Sequence, residues 1–595
     1  MNSPSAPARA AFPVRDLALL LAVAGLLFFA WLGRLPLIEP DEGRNAEVAR
    51  EMLATGDLIT PHFNTLTYLD KPAVYFWMVA ASFRVAGVNE WAARLPSALM
   101  ALATMLLVWF LARRMFGDGA GLRAGLAFAT APLVIAFSRY VIFDMTLAFL
   151  VCLAMVSYWQ AQASGFRRPA FDVLFFAALG VAAITKGPVG FLLPLLSVLA
   201  FAGLTGRWRD LRRLRWGFGL LVFLAAALPW FAAVSLRNPG FPRYAFWQES
   251  LRRFATGSTH RGGSIFYYLP VYLGGYLPWS FFLLYAGLTR LGLWRRLRDE
   301  GQRPAAFLIS WSAVVFIFFT VSRSKLPGYF LPAVAPLSIL TAKVWEDFKT
   351  SESGRPAWLG PGFLTLAALG IVFAALPQAL RWEAAAAAAS RKIPPATLAL
   401  LQPALFYSGL ALAALAIFGR NLARRSTAAK SALFSFALLA LTVPLLLVRW
   451  APTLQAYANV ASSRRLAQAI QQGPERDLPV YGYYCFRTSL PFYLQRPVNL
   501  VTTDASELTS NYIAANLARM RQQASAAGAE PVLSDPEDLR ERIQRATRPM
   551  LVMVRVRDVQ KLLDAVPEAE PLWTDWEHSI WKIPAGRSEE VGSRE

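Results

Sequence analysis

The sequence is poor in charged residues and in cysteine. Only 16% of its 595 residues are charged, whereas soluble domains carry roughly 25%, so the composition indicates a membrane protein. Its two cysteines, Cys152 and Cys485, lie in different regions of the chain, which argues against a disulfide framework and a cysteine metal site. The sequence has no basic arm, zinc-ligand spacing or RNA-binding motif. Its net charge of +22 therefore does not point to nucleic acid.

The sequence also lacks nucleotide-binding motifs, internal repeats and a signal-peptide cleavage site. Neither GxxxxGK[ST] nor GxGxxG follows a predicted strand in the C-terminal part, which argues against nucleotide binding there. No internal repeat is evident, and the ionisable residues do not collect in the middle of apolar runs as they do in many secondary transporters. The first apolar run lacks a small-residue cleavage site, so we expect a retained membrane anchor.

Long apolar runs are what the sequence has in abundance, since 56% of its residues are hydrophobic. A helix needs about 20 predominantly apolar residues to cross the hydrocarbon layer. The sequence therefore predicts an α-helical polytopic membrane protein with about thirteen spans. The runs are 16–33, 91–111, 121–138, 143–160, 172–185, 188–206, 216–236, 269–289, 304–321, 327–345, 359–377, 397–418 and 431–450.

Basic residues mark every second loop between these runs. Loops rich in arginine and lysine stay on the cytoplasmic side, so the pattern predicts a cytoplasmic N-terminus and a C-terminal part outside. The basic residues are Arg9, Arg15, Arg113, Arg114, Arg167, Arg168, Arg207, Arg209, Arg212, Arg213, Arg215, Arg290, Arg295, Arg296, Arg298, Arg420, Arg424, Arg425 and Lys430.

The chain divides into two predicted domains. Residues 1–454 form a transmembrane domain with two long outer loops, 34–90 and 237–268. Residues 455–595 are predicted to form a small soluble α/β domain with a disordered end, because short strand-like segments alternate there with polar helical ones. The strand-like segments are 479–484, 550–556 and 579–583.

The stretch EPDEGRNAEVAREM, residues 39–52, places five carboxylates directly after the first apolar run. Pro40 followed by acidic residues predicts a helix start, and Gly56 predicts its end. On that helix Asp41 and Arg44 share one face, where they can meet the same ligand. We expect the other pair on the helix, Glu47 and Glu51, to be ordinary surface charges that pair with Arg50 or with neighbouring loops.

Further ionisable residues fall in the first outer loop and in the other outer loops. Mixed charges crowded at one bilayer face are what a charged lipid headgroup would require. Singly, most of them also have a structural explanation, such as helix capping for a carboxylate or snorkelling for Lys186. Asp144 is harder to explain in this way, because it begins an apolar run where a carboxylate is costly. The residues are Asp41, Asp70, Lys71, Asp144, Lys186, His260, Lys325 and Tyr329.

These motifs resemble a known family. EPDEGRNAEVAREM, GDLITPHFNTLTYLDKPAVYFWM, LPSAL, RYVIFDMTLAFL, TKGPVG and SRSKLPGYFLPAVAPL occur in the order found in bacterial 4-amino-4-deoxy-L-arabinose lipid A transferases. That family belongs to the GT-C class of glycosyltransferases and is related to protein O-mannosyltransferases. The resemblance covers about residues 15–345 by motif and the remainder by architecture.

The resemblance implies an enzyme of the periplasmic face of the bacterial inner membrane. It would move aminoarabinose from undecaprenyl phosphate to a lipid A phosphate, with inversion at the anomeric carbon. Asp41 and Asp144 match the family's acidic positions and would be catalytic. The substrate-binding residues would be Arg44, Asp70, Lys71, Lys186, Arg253, Lys325 and Tyr329.

Some relatives hold a divalent metal near the motif that reads Asp70-Lys71-Pro72 here. The resemblance thus allows a zinc ion between Asp70 and His260, although two ligands fall short of the three or four usual for zinc, and no cofactor is required. Within enzymes, the alternative is a polyprenyl-phosphate-sugar transferase with another acceptor, such as a protein. Outside that class, a secondary transporter or a membrane scaffold remains the alternative.

Overall fold

A computed structural model describes residues 14–252, 263–290, 296–350, 356–379, 393–526, 533–534, 543 and 546–585. The disordered end predicted after residue 585 lies outside these ranges. Within the described residues, nine helices are long and apolar enough to cross a membrane. They are Glu90–Phe116, Asp144–Ala163, Pro169–Lys186, Pro188–Thr205, Trp216–Arg237, Glu300–Val321, Leu359–Ala379, Pro395–Arg425 and Ala428–Val460.

The other predicted runs are also helical. Two of them are bent pairs, Asp118–Ala129 with Pro132–Ser138 at 65° and Ile265–Gly275 with Trp279–Thr289 at 112°. The remaining two are the N-terminal helix, Val14–Ala24 continued by Gly25–Phe29, and the helix Leu331–Lys349. All thirteen apolar runs therefore form helices, and the predicted polytopic helical fold class is confirmed.

The first predicted outer loop contains secondary structure of its own. It holds the helix Asp41–Thr55, a hairpin of β1 (His62–Phe63) and β2 (Leu66–Thr67), and the helix Val74–Ala86. The last of these helices is apolar but has only 13 residues, too few to span a bilayer. Its buried side chains, such as those of Phe76 and Val79, instead pack in a core at one end of the bundle. We call this end of the bundle, which carries the first outer loop (residues 34–90), the site face.

The C-terminal part forms a six-stranded mixed sheet. Its strands are β3 (Val480–Tyr483), β4 (Asn499–Val501), β5 (Leu533–Ser534), β6 (Met550–Arg555), β7 (Glu570–Thr574) and β8 (His578–Ile583). The strand order is β5-β4-β3-β6-β8-β7. The pairs among β5, β4, β3 and β6 are parallel, whereas β8 pairs antiparallel with both β6 and β7. Three of these strands lie where the sequence predicts them.

Shorter helices connect the elements of the fold. In the membrane domain they are Trp208–Arg213, Phe241–Arg243 and the π-helical segment Tyr244–Arg252, with 3₁₀ turns at Ile265–Tyr267, Glu300–Gln302 and Pro327–Phe330. In the C-terminal domain they are Arg464–Gln472, Leu490–Leu494, Asn511–Ala515, Leu517–Ala526 and Val559–Ala565, with 3₁₀ turns at Ser506–Leu508 and Val556–Asp558.

The C-terminal domain shares a hydrophobic core with the first outer loop. Leu37, Val48 and Phe63 of the loop belong to one buried cluster with Leu466 and Phe492 of the domain. Because both partners bury apolar surface there, the interface stabilises the position of the domain on the site face.

Polar contacts add to this interface. The Glu39 carboxylate lies 3.0 Å from Nε of Arg487 and accepts hydrogen bonds from the hydroxyls of Ser463 and Ser489. At Gly43 the two parts approach closely, since a Cβ there would lie 2.5 Å from the backbone nitrogen of Ser489. The glycine of the EPDEGRN motif therefore allows the domain to dock against the helix.

Candidate functional site

The helix that begins at Asp41 carries the first charged pair of the site. Asp41 is its first residue, and the left-handed Gly56, with φ of 72°, caps its C-terminal end, as the sequence predicts. The Asp41 carboxylate forms an ion pair with the Arg44 guanidinium one turn later, and the side chain of Asp41 is 23% exposed. The predicted shared face of Asp41 and Arg44 is therefore present.

The C-terminal domain also binds the Arg44 guanidinium, through Thr509. Nη1 of Arg44 donates to the backbone oxygen of Thr509 at 3.0 Å and to its hydroxyl at 2.5 Å. The guanidinium also lies 5.9 Å from the ring centroid of Tyr68. The orientation of Arg44 thus depends on two parts of the chain that are 465 residues apart in sequence.

Glu42, next to Asp41, has a structural role. It is fully buried and forms a two-pronged ion pair with Arg94, with distances of 2.7 and 2.8 Å. The same carboxylate accepts backbone hydrogen bonds from Ile38 and Val141. Since a buried carboxylate is tolerated only when it is paired and hydrogen-bonded, Glu42 fastens the segment before Asp144 to the helix.

The expectation that Glu47 and Glu51 are surface charges is wrong. Both side chains are buried, because the C-terminal domain and the β1–β2 hairpin cover this helix. Glu47 does pair with Arg50, at 2.7 Å through both oxygens, and Glu51 accepts a hydrogen bond from the Thr65 backbone. Burial, followed by the nearby Glu47 carboxylate, raises the pKa of Glu51 to about 8.

A second charged pair joins Asp144 and Lys186. Asp144 begins one membrane helix, Lys186 ends the next one, and their side chains, 3% and 9% exposed, form an ion pair. Nζ of Lys186 lies 4.2 Å from the ring centroid of Tyr329 and 5.1 Å from that of Phe143. A Cβ at Gly328 would lie only 3.0 Å from Cγ of Asp144, so glycine allows the Tyr329 segment to approach.

A third group forms around Asp70 and Lys71. The buried Asp70 carboxylate accepts hydrogen bonds from the Tyr244 hydroxyl and from the Tyr512 backbone nitrogen, the latter at 3.0 Å. Burial and the charge of Asp70 raise the pKa of Tyr244, so Tyr244 remains a phenol that can donate. Nζ of Lys71 binds the Glu249 carboxylate at 2.5 Å and lies 5.8 Å from the Phe143 ring centroid.

Phe143 connects the second and third groups. Lys71 and Lys186 both lie within 6 Å of its ring, and both are paired with carboxylates. Two ammonium groups next to one aromatic ring can bind a phosphate that reaches this place, because phosphate accepts charge-assisted hydrogen bonds. The structure therefore brings Asp70, Lys71, Asp144, Lys186 and Tyr329 together around Phe143. The Asp70 carboxylate also acts electrostatically on Arg44, the ion-pair partner of Asp41.

The Lys325 ammonium caps the C-terminal end of a membrane helix in this structure. Its Nζ donates to three backbone oxygens, those of Phe319, Thr320 and Ser322, at 3.2, 2.8 and 2.7 Å. These carbonyls belong to the end of a membrane helix, where a cation is favourable. A role of Lys325 in substrate binding stays a prediction, since it would require the ammonium to leave this cap.

Two predicted site residues, Arg253 and His260, lie outside the described residues. Among the residues that the structure does describe, no group of three histidine, cysteine, aspartate or glutamate side chains is placed to hold a metal. Asp70 is bound instead by Tyr244 and Tyr512. The described residues therefore do not form a zinc site by themselves, and the zinc prediction rests on His260.

Sequence reasoning missed several residues of this site: Arg94, Tyr244, Glu249 and Thr509. None of them belongs to a motif whose local spacing predicts a function. Nothing in the sequence around Glu249 singles out this carboxylate, and Thr509 belongs to the C-terminal domain. A positive φ of 53° at Thr509, rare for a β-branched residue, is visible only in the structure.

Comparisons with known proteins find several glycosyltransferases that are similar to this chain. A family model described as dolichyl-phosphate-mannose-protein mannosyltransferase matches residues 70–232. The undecaprenyl phosphate-alpha-4-amino-4-deoxy-L-arabinose arabinosyl transferase of Pseudomonas aeruginosa is 34% identical over 365 residues, 60% of this chain and 64% of the relative. The enzyme of the same name from Edwardsiella ictaluri is 35% identical over 356 residues, 59% of this chain and 62% of the relative. The matched part thus spans less than two thirds of each relative.

Solved structures are similar over nearly the whole chain. ArnT from Cupriavidus metallidurans bound to undecaprenyl phosphate has a TM-score of 0.80 at 28% identity, covering 97% of this chain and 100% of that one. The apo state of the same protein has a TM-score of 0.78 at 29% identity, covering 96% and 98%. In motif, fold and sequence, the chain is thus similar to the aminoarabinose lipid A transferases.

Proposed function

We propose that this protein is an inverting glycosyltransferase that moves 4-amino-4-deoxy-L-arabinose from undecaprenyl phosphate to a phosphate of lipid A. The observation that carries the proposal is the assembly of Asp41, Arg44, Lys71, Asp144 and Lys186 at one face of a membrane bundle. The names of the relatives support the sugar and its carrier. A relative of the same fold is bound to undecaprenyl phosphate.

The site chemistry suits a phosphate acceptor. A phosphate is already ionised near neutral pH, so it needs little help from a general base. Positioning and electrostatic stabilisation then supply most of the rate enhancement. In this proposal Asp41 orients the acceptor through Arg44, with which it is paired, and Asp144 supports the reaction centre through Lys186.

The leaving group is the carrier phosphate, which gains negative charge as the glycosidic bond breaks. Lys71 and Lys186, which both lie near Phe143, would neutralise that charge, and Tyr329 would donate a hydrogen bond. Burial of these lysines, at 16% and 9% side-chain exposure, reduces screening by water and strengthens the interaction.

We further propose that the site face lies on the periplasmic side of the bacterial inner membrane. The alternation of basic loops supports this orientation. A lipid acceptor would also be accessible there from the outer leaflet of the bilayer.

A protein acceptor is the second candidate, since the matching family model is that of a protein mannosyltransferase. One experiment separates the two acceptors. The protein is expressed in a bacterial strain that lacks its own transferase, and lipid A is examined by mass spectrometry. Aminoarabinose on lipid A supports the proposal. Unmodified lipid A together with newly glycosylated membrane proteins would support the protein acceptor instead.

A further inference from the structure

The ion pair between Lys71 and Glu249 has a consequence for the donor sugar. Its two atoms lie 2.5 Å apart and join segments separated by 178 residues. Both side chains are largely withdrawn from water, at 16% and 14% exposure. The second carboxylate oxygen of Glu249 lies 3.4 Å from the side-chain nitrogen of Asn511. The Glu249 carboxylate thus lies between Lys71 of the membrane domain and Asn511 of the C-terminal domain.

A donor phosphate that binds Lys71 takes the place of this carboxylate. Moving a poorly exposed carboxylate away from its cation is costly, because the lost attraction is not fully replaced by water. A ligand that carries both an anion and a cation avoids this cost. Its phosphate pairs with Lys71, while its cation pairs with Glu249.

The proposed donor has this charge pattern, because its phosphate is on C1 and a basic amine is on C4 of one sugar. We infer that Glu249 is a specificity-determining residue that binds the protonated amine of the donor sugar. The inference rests on the proposed function. A neutral sugar of the same size would leave the displaced Glu249 carboxylate without the ligand's ammonium, so the site would discriminate against it.

Lys71 and the start of the segment that carries Glu249 are each held by contacts other than their ion pair. Lys71 is held by its own segment, since Nζ also donates to the Asp70 backbone oxygen at 2.8 Å. Tyr244 is bound to Asp70 and anchors the start of the π-helical segment Tyr244–Arg252. Glu249 lies five residues beyond this anchor. Its side chain can therefore move away from Lys71 while the start of the segment stays in place.

The test compares two donors that differ only at C4. One is undecaprenyl phosphate-aminoarabinose, and the other is undecaprenyl phosphate-arabinose, which has a hydroxyl in place of the amine. The dissociation constant of each donor is measured with the purified full-length protein at neutral pH. We expect the wild type to bind the amine donor about ten- to a hundredfold more tightly, as for one charge-assisted hydrogen bond.

Glu249→Gln should reduce this ratio to about one by weakening the binding of the amine donor alone. The matched control is Glu475→Gln, because Glu475 pairs with Lys582 at 3.2 Å within the C-terminal domain. The control should keep the wild-type ratio. A ratio of dissociation constants does not depend on the fraction of folded protein, so partial misfolding of a variant does not obscure the result.

Two results would overturn the inference: equal affinity of the wild type for the two donors, or an equal loss for both donors in Glu249→Gln. The second result would show that Glu249 only holds Lys71. Transfer to lipid A is measured on the same preparations. Donor discrimination that disappears in Glu249→Gln without any transfer to lipid A would support the inference and refute the proposed acceptor. Transfer to lipid A without discrimination between the donors would support the proposed acceptor and refute the inference on Glu249.

Discussion

Single carboxylates of the stretch after the first membrane helix have different roles although they are close in sequence. Glu39 binds Arg487 of the C-terminal domain, Asp41 faces the site with Arg44, and Glu42 is buried against Arg94. Glu47 and Glu51 are buried neighbours. Accessibility separates these roles, since the side chain of Asp41 is 23% exposed and that of Glu42 is fully buried.

Asp41→Asn should therefore reduce transfer by about a hundredfold or more, as expected when one electrostatic group of a reaction centre is removed. Its fold should persist, because asparagine keeps the shape and Thr509 still binds Arg44. Glu42→Gln is the matched control. It breaks a buried ion pair, which costs about 3–5 kcal/mol, and should lower the thermal unfolding temperature. Equal unfolding temperatures for the two variants, or normal transfer by Asp41→Asn, would contradict this assignment.

Glu51 should make folding stability depend on pH. Its pKa is raised to about 8 in the folded protein, against about 4.3 in an unfolded chain. The folded state therefore holds a proton that the unfolded state releases, and this contribution to stability is lost as pH rises from about 5 to 8. Glu51→Gln cannot titrate, so its unfolding temperature should fall less than that of the wild type over this range. If the unfolding temperatures of the wild type and of Glu51→Gln changed in parallel with pH, the raised pKa of Glu51 would be refuted.

Among the structural elements, the segment Thr509–Tyr512 is the contribution of the C-terminal domain to the site. Thr509 binds Arg44, Asn511 approaches Glu249, and the backbone of Tyr512 binds Asp70. Three residues of this segment thus contact charged side chains of both outer loops, namely Arg44 and Asp70 of the first and Glu249 of the 237–268 loop. Backbone strain such as that at Thr509, with φ of 53°, is often retained at functional sites.

Thr509→Val should lower kcat by about tenfold, because valine keeps the shape but removes a hydrogen bond to a charged group. Thr509→Ser keeps the hydroxyl and should restore most of the rate. Steady-state kinetics with purified protein measure both variants, and KM for the donor should change little, since Arg44 is assigned to the acceptor side. A valine variant with wild-type kcat, or a serine variant as slow as valine, would show that the hydroxyl does not position Arg44.

For the whole molecule, the shared core of the C-terminal domain and the first outer loop places both on one side of the membrane. Leu37 and Val48 pack in the same cluster as Leu466 and Phe492. The orientation of the entire bundle then decides whether the site is periplasmic.

Alkaline phosphatase, which is active only outside the cytoplasm, reports this orientation. Fused after residue 585, it leaves the described domain intact and should be active, because the basic loops predict that the C-terminal part is outside. A fusion in the basic 207–215 loop should be inactive and serves as the control. The reverse pattern would place the site face in the cytoplasm.

Local patterns in the sequence were sufficient for the thirteen helical runs, for the helix Asp41–Thr55 with its cap at Gly56, and for the shared helix face of Asp41 and Arg44. Helix periodicity, apolar length and end signals act within a few residues, so they can be read without knowledge of the fold. The partners of the other charges depend on contacts between distant segments. Glu42 and Arg94 are 52 residues apart, Lys71 and Glu249 are 178 apart, and Arg44 and Thr509 are 465 apart. Glu47 and Glu51 were expected on the surface because nothing near them in sequence shows that another domain covers their helix. Burial and charge pairing at this site arise only when the chain folds, because they depend on which surfaces exclude water together.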